Sequence, residues 1–224
     1  AFSTVSQLGM IMSMLGMGAV SYHFEGQDSQ LYIAAFTAAA FHLINHATFK
    51  GALFMITGAV DHSTGTRDIK KLGGLLTIMP ISFTITVITS LSMAGVPPFN
   101  GFLSKEKFLE SVIELTHAHV MSLNTLGLIF PILAIVGSIF TFVYSIKFIM
   151  LIFFGEYKPN QLPQRAHEAS ILMLISPSIL AILVIIFGLF PGVLTQSIIE
   201  PATTSMSQTT QVSAEFHLFH GITP

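Results

Sequence analysis

The sequence contains no cysteine and no tryptophan in 224 residues, and only 9% of its side chains are Asp, Glu, Lys or Arg. Without cysteine there is no disulfide framework, and the redox compartment leaves no mark. Without tryptophan, an aromatic belt at a membrane surface falls to Tyr and Phe. The shortage of charge says most. A soluble domain carries about 25% charged residues, whereas here 52% of the chain is hydrophobic, so lipid rather than water is the main solvent. The net charge of −2, with no basic stripe and interleaved aromatics, gives no nucleic-acid-binding signature. No phosphate-cradling glycine loop, metal-ligand spacing or nucleophile–base pair is present. The sequence therefore predicts neither an enzyme nor a cofactor. Ala1 opens inside an apolar run with no initiator Met and no basic stretch before it. That is not a signal peptide, and it predicts a piece of a longer chain.

A membrane-crossing helix needs about 20 mostly apolar residues. Runs of this kind cover residues 2–22, 31–60, 75–94, 126–154 and 171–194. Polar stretches at 23–30, 61–74 and 155–168 separate them, and a Ser/Thr/Gln-rich tail follows residue 195. Basic residues are unevenly placed. Arg67, Lys70 and Lys71 share one loop, Lys158 and Arg165 another, and Lys147 lies near a helix end, while the 23–30 loop, the 118–125 turn and the tail have no Lys or Arg. The positive-inside rule makes the 61–74 and 155–170 loops cytoplasmic. Both can face one side only if residues 75–117 form a single crossing broken in the middle. The expectation is an all-α integral membrane region over 1–195 with about five spans, the third discontinuous. An extracytoplasmic polar tail, 196–224, leads to a further segment.

The break itself is Gly95, Val96, Pro97, Pro98, Phe99, Asn100 and Gly101. The two prolines lack N–H donors and crowd the preceding turn, and Gly95 and Gly101 accept backbone angles that other residues avoid. A helix interrupted at membrane depth leaves backbone groups unpaired, which is tolerated only against protein or water. Transporters use such breaks to present polar groups to ion paths. Ser104, Lys105 and Glu106 follow within one or two turns.

His42, His46 and Lys50 stand at i, i+4 and i+8, so they share one helix face. A charged lysine at the bilayer centre costs roughly 2.5–3.5 kcal/mol on insertion scales, so Lys50 is expected to face the protein interior or a wet cavity. Histidine exchanges protons near neutral pH. Together the three form a line of proton sites about 12 Å long at 1.5 Å per residue, which needs bridging water. A plainer role is open to each: hydrogen bonding by the histidines to Asn45, Thr48 or a neighbouring helix, and snorkelling by Lys50. The histidine pair lacks acidic or thiol neighbours, so no metal site is expected. Lys107, Glu110 and Glu114 fit helical spacing for pairing on a wet face. Lys147 either snorkels or serves as the exit of a relay. Asp61 and His62 read as a helix terminus.

Three stretches then carry a family resemblance: Ala1-Phe2-Ser3-Thr4-Val5-Ser6-Gln7, the segment from His42 through Asn45, His46 and Thr48 to Lys50, and the segment from Ala94 through the break to Lys105. Together they resemble the antiporter-like membrane subunits, a group holding the proton-pumping subunits of NADH–quinone oxidoreductase (complex I) and the large subunits of Mrp-type multisubunit Na⁺/H⁺ antiporters. The stretch from Asp61 through Arg67 and Asp68 to Gly74, with Phe216-His217-Leu218-Phe219-His220-Gly221, tilts the resemblance toward the A-type large subunits of the Mrp group. It implies a fold of two inverted five-helix repeats, of which this chain is most of the second repeat plus one following helix. It also implies that His42, His46 and Lys50 lie on a central hydrophilic axis, with Lys105 the lysine of the broken helix. Asn45 and Thr48 depart from many complex I relatives and bear on the subgroup. The implied activity is exchange of H⁺ for Na⁺ through a Lys/His relay, in a hetero-oligomeric complex with other membrane subunits in the cytoplasmic membrane. Two alternatives stand beside it, a non-transporting membrane scaffold and a proton-pumping subunit of complex I.

Overall fold

The computed structural model describes residues 2–25, 30–117 and 129–207. The 118–125 turn, the tail beyond residue 207 with its Phe216–Gly221 stretch, and residues 26–29 of the 23–30 loop lie outside the described residues. All regular structure among the described residues is helical: α1 (Phe2–Glu25), α2 (Gln30–Thr64), α3 (Pro80–Ala94), α4 (Asn100–His117), α5 (Ile129–Phe153), α6 (Ile171–Leu189), α7 (Pro191–Leu194) and α8 (Glu200–Ser207). Short 3₁₀ turns lie at Leu75–Thr77 and Pro159–Gln161, and a π-helical turn at Thr195–Ile199 joins α7 to α8. α1, α5 and α6 are each long and apolar enough to cross a membrane. The polar stripe of α2, with His42, Asn45, His46 and Lys50, dilutes its apolar character, although its 35 residues extend about 52 Å.

α2 is the hub, packing against α1, α3, α4, α6 and α8. Its contact with α1 is antiparallel: the Tyr22 and Tyr32 rings are 5.3 Å apart at one end, and Lys50 bonds Ser3 at the other. Small residues make the approach possible. Ala35, Ala38 and Ala39 are buried against Ile11, Met14 and Met17, and Gly18 faces the ring of Phe36.

α3 has 15 residues, about 22 Å of helix and too short to cross the roughly 30 Å hydrocarbon core. α4 completes the crossing. Asn100 meets Asn45, Ser104 meets His42, and Phe108 and Val112 pack among Ala35, Ala38 and Ala39, so α4 continues along α2 where α3 stops. The α6 arm is interrupted too. It ends at Leu189, turns at Phe190 and Pro191, and continues helically to Ser207, where Thr203 lies 3.3 Å from Thr37. A polar tail from residue 196 is the expectation from sequence; instead the chain stays helical to 207, because a π turn absorbs the irregularity after Pro191 and buries Thr195, Ile199 and Thr203.

The loops after α2 and after α5 pack on each other at one end of the bundle. Gly74 N–H donates to the Phe154 carbonyl at 3.1 Å, and Gln164 Nε2 donates to the His62 carbonyl. Gly74 has φ 64°, and a Cβ there would stand 2.5 Å from Tyr157 N. Glu168 closes this end. Its carboxylate accepts from Ile81 N at 2.8 Å, Ser82 Oγ at 2.6 Å and Ala169 N at 3.1 Å, covering α3's exposed N-terminal amides, where the helix dipole favours an anion. Asp61 bonds Arg67 at 2.7 Å and so holds that guanidinium above its ordinary range, through the hydrogen bond first and charge second. The pair is exposed and adds little.

Two outcomes follow from this end of the molecule. Replacing Glu168 with Ala lowers stability by about 1–2 kcal/mol, the cost of a lost helix cap, read as a lower melting temperature of the purified subunit. Single cysteines at the exposed positions Lys70 and Arg165, placed in a chain with no native cysteine, react with a membrane-impermeant thiol reagent from one and the same side. Labelling from opposite sides contradicts the fold.

Candidate functional site

The break between α3 and α4 is built from its residues as a C-terminal cap. Gly95 has φ 80° and ψ 42°, its N–H reaches Ser92 O at 2.9 Å, and Val96 N–H reaches Leu91 O at 3.0 Å. This is the left-handed glycine stop that satisfies a helix's last carbonyls. Pro97 and Pro98 follow and cannot continue the helix. Gly101 behaves differently from the expectation. It lies in the first turn of α4 without a left-handed backbone, and its role is space, since a Cβ there would lie 1.8 Å from Ser92 O. Gly188 of α6 does the same from the other side, where a Cβ would lie 2.1 Å from Pro98 O.

A polar lock then fixes the break to α2. Asn100 Nδ2 donates to Asn45 Oδ1 at 2.9 Å and to Thr48 Oγ1 at 3.2 Å, and Asn45 Nδ2 donates to Asn100 O at 3.2 Å. Ser92 Oγ donates to Asn100 Oδ1 at 2.6 Å and accepts from Gly101 N–H at 3.1 Å. All five residues are buried. A buried network with its partners matched rigidifies what it joins.

Beside the lock lie the four residues singled out from the sequence, all buried. Lys105 folds back over the break, and its Nζ donates to Ala94 O at 3.0 Å. A Cβ on Gly95 would lie 2.6 Å from Lys105 Cδ, so the glycine that stops α3 also clears the way for the lysine stem. The ammonium thus meets the negative end of α3's dipole. His42 Nδ1 is 2.9 Å from Ser104 Oγ, one residue from Lys105. The rings of His42 and His46 stack with centroids 6.2 Å apart, and His46 meets Phe49 edge-on at 5.6 Å. Lys50, one turn on, donates to Ser3 Oγ of α1 at 2.5 Å. Nε2 of each histidine is buried with no protein partner among the described residues. Buried polar atoms in that state are ordinarily satisfied by water.

These contacts assemble Lys105, Ser104, His42, His46 and Lys50 into one file that starts at the break and ends against α1. Lys147 is not brought to it. That residue is exposed on α5, near the exposed Val143, Met150 and Leu151. Lys107 pairs with Glu110 at 2.7 Å on the outer part of α4. Sequence reasoning missed Ser3, Gln7, Ser92, Asn100 and Ser104 as partners. The available signal was a polar residue every turn or so in otherwise apolar runs. Gln7 Nε2 lies 3.4 Å from the Tyr144 hydroxyl of α5, and its buried Oε1 has no protein partner among the described residues.

Substituting Asn45 with Ala removes one acceptor of the buried Asn100 Nδ2 and the donor to Asn100 O, and costs about 1–3 kcal/mol, the scale of one buried unsatisfied polar group. In thermal melts of the full-length subunit, the Asn45→Ala, Asn100→Ala double variant loses less than the sum of the two singles. Strict additivity contradicts the lock.

Comparison with known proteins follows the same lines. The family model described as NADH:quinone oxidoreductase/Mrp antiporter, TM, matches residues 1–131. Over its whole length the chain is 82% identical to the A1 subunit of the Na⁺/H⁺ antiporter of Staphylococcus haemolyticus and 76% identical to that of Staphylococcus aureus. The chain spans 28% of the length of these relatives. Among solved structures, the Mrp complex from Dietzia sp. DQ12-45-1b superposes with a TM-score of 0.73 at 31% identity, covering 100% of this chain and 22% of the other. The archaeal membrane-bound sulfane sulfur reductase gives 0.64 at 29%, covering 87% and 33%. A matched segment of more than half the chain, made of the α1, α2 and α3–α4 units that hold the buried file, places this chain in the NADH:quinone oxidoreductase/Mrp antiporter transmembrane family.

Proposed function

We propose that this chain is part of the proton-conducting half of an A-type Na⁺/H⁺ antiporter subunit, in which Lys105, His42, His46 and Lys50 pass protons through the membrane in exchange for Na⁺. The observation that carries this reading is the buried file itself. Four titratable side chains follow one another from the helix break to α1, inside helices that otherwise expose apolar side chains. Identity of 76–82%, over the whole of this chain and 28% of the relatives' length, to proteins named as Na⁺/H⁺ antiporter subunits supports antiport over a complex I pumping role.

The chemistry is electrostatic. A proton bound at Lys105 or Lys50 places charge beside a histidine. Two unit charges about 8 Å apart interact by about 2 kcal/mol at an effective dielectric of 20, enough to change a neighbour's proton affinity more than tenfold. Lys105 is held against Ala94 O and Lys50 against Ser3 Oγ, so each ammonium has a neutral partner and, among the described residues, no carboxylate paired with it. The histidines between them each keep one open nitrogen, the arrangement a water-linked transfer needs.

In this reading the loops 61–74 and 155–170, with their arginines and lysines, face the cytoplasm of a cell whose cytoplasmic membrane holds the complex. Partner membrane subunits complete the Na⁺ route. The exposed apolar flanks of α5 and α6 meet lipid or those partners.

Lys50→Ala and Lys105→Ala, each in the full complex in membrane vesicles, reduce Na⁺-driven proton movement at least tenfold while assembly persists. Wild-type flux in either variant removes that lysine from the relay. Wild-type flux in both leaves the scaffold reading in its place.

A further inference from the structure

Ser104 stands between the two halves of the file, and nothing in the sequence singled it out beyond its place after the break. Its side chain is fully buried, and its hydroxyl oxygen lies 2.9 Å from His42 Nδ1 and 3.2 Å from the Gly101 carbonyl. A serine hydroxyl has one hydrogen to give, so it cannot donate to both. When Nδ1 carries no proton, Ser104 donates to it and the neutral ring keeps its hydrogen on Nε2. When Nδ1 carries a proton, that N–H donates to Ser104 Oγ and the hydroxyl turns to Gly101 O. In an α-helix that same carbonyl receives the N–H of residue i+4, which is Lys105.

We propose that Ser104 is a positioning residue of the relay, a hydrogen-bond switch whose setting toward Gly101 O keeps the hydrogen of His42 on Nδ1, leaves Nε2 open to proton exchange, and ties that setting to the helix turn carrying Lys105. The inference rests on the relay reading above. With Ser104 turned to Gly101 O, Nδ1 holds its hydrogen and donates it to Oγ, so Nε2 is the open acceptor. A proton taken there from water makes the imidazolium, and the same nitrogen returns it to water. Ser104 and Nδ1 neither gain nor lose an atom in the cycle. With Ser104 turned to Nδ1, the ring's hydrogen sits on Nε2 and that nitrogen has no lone pair to offer. His42 Nε2 has no protein partner among the described residues, so the nitrogen that the switch opens is not held by another side chain.

The charges that reach His42 are those of His46 on its own helix and Lys105 on α4. Lys50 lies one turn beyond His46, and α4 carries Glu106, Lys107, Glu110 and Glu114 after Lys105. α3 and α6 carry no titratable side chain, α8 offers Glu200, α1 has Tyr22, His23 and Glu25 at its far end, and α5 carries Tyr144 and Lys147. Among the described residues, the titratable groups set beside Ser104 are His42, at 2.9 Å from its hydroxyl, and the adjoining Lys105, so these are where a change in pH dependence on altering Ser104 is expected.

The test uses the full antiporter complex in everted vesicles, with Na⁺-driven proton movement followed across pH and Lys105→Ala as the reference. Ser104→Ala reduces the rate about tenfold, the scale of one lost hydrogen bond to a charged group, and displaces the pH optimum by about half a unit or more. Ser104→Thr, which keeps the hydroxyl, retains both rate and optimum. Wild-type rate and optimum in Ser104→Ala, beside an inactive Lys105→Ala, overturn the switch and leave the relay standing. An active Lys105→Ala overturns the relay and the switch with it. Equal losses in Ser104→Ala and Ser104→Thr with an unmoved optimum mark a packing role and also overturn it. If Ser104→Ala does not assemble, Ser104→Cys takes its place, with a similar volume and a much weaker donor, and the same two outcomes decide.

Discussion

Lys105 and the carbonyl of Ala94 depend on each other. A helix that stops at membrane depth leaves carbonyls without partners, and a lysine buried there loses the full water shell it has in bulk solvent. Either feature alone is costly in lipid. Placed 3.0 Å apart, the ammonium meets the negative end of the interrupted helix, and each meets the other's need. The geometry requires Gly95 twice over: its left-handed backbone ends α3, and its missing side chain leaves room for the lysine stem. Gly101 and Gly188 then let α4 and α6 close on the break to distances that any Cβ would forbid.

Two kinds of polar burial lie side by side on α2, and they are built differently. Asn45, Thr48, Ser92 and Asn100 are matched donor to acceptor, which makes a rigid joint between the broken crossing and the hub helix. His42 and His46, on the same helix, each keep an Nε2 with no protein partner among the described residues. A fully matched network holds position; a half-matched imidazole can exchange a proton. In the proposed relay, rigidity at the lock makes openness at the histidines useful, because proton transfer is sensitive to small displacements.

Much of this was legible from the residues. The apolar runs located the helices to within a few positions, since lipid demands continuous apolar length. The charge asymmetry required both basic loops at one end, and the structure packs those loops on each other there. The proline pair marked the break. Other features were not legible. Asn45 read as a mark of subgroup because its partner, Asn100, is 55 residues away, and no local pattern announces a pairing across helices. Glu168 lies at the end of a polar loop with no local mark of its role, although it caps a helix 86 residues earlier in the chain. Gly101 was read as a source of backbone freedom, whereas its value is in the contact it permits. The helix beyond residue 194 was hidden by composition, because it buries Thr195, Ile199 and Thr203 and exposes Pro201 and Ser205, and so carries the Ser and Thr content of a tail.

The central claim is that imidazole and ammonium groups stand in a hydrated interior and not in a dry seal. The most direct measurement is a high-resolution structure of the whole complex in lipid, with solvent density examined along α2. Ordered water bonded to His42 Nε2 and His46 Nε2, continuing to Lys50, is the expected result. Apolar side chains closed over both nitrogens, with no solvent between Lys105 and Lys50, would contradict it.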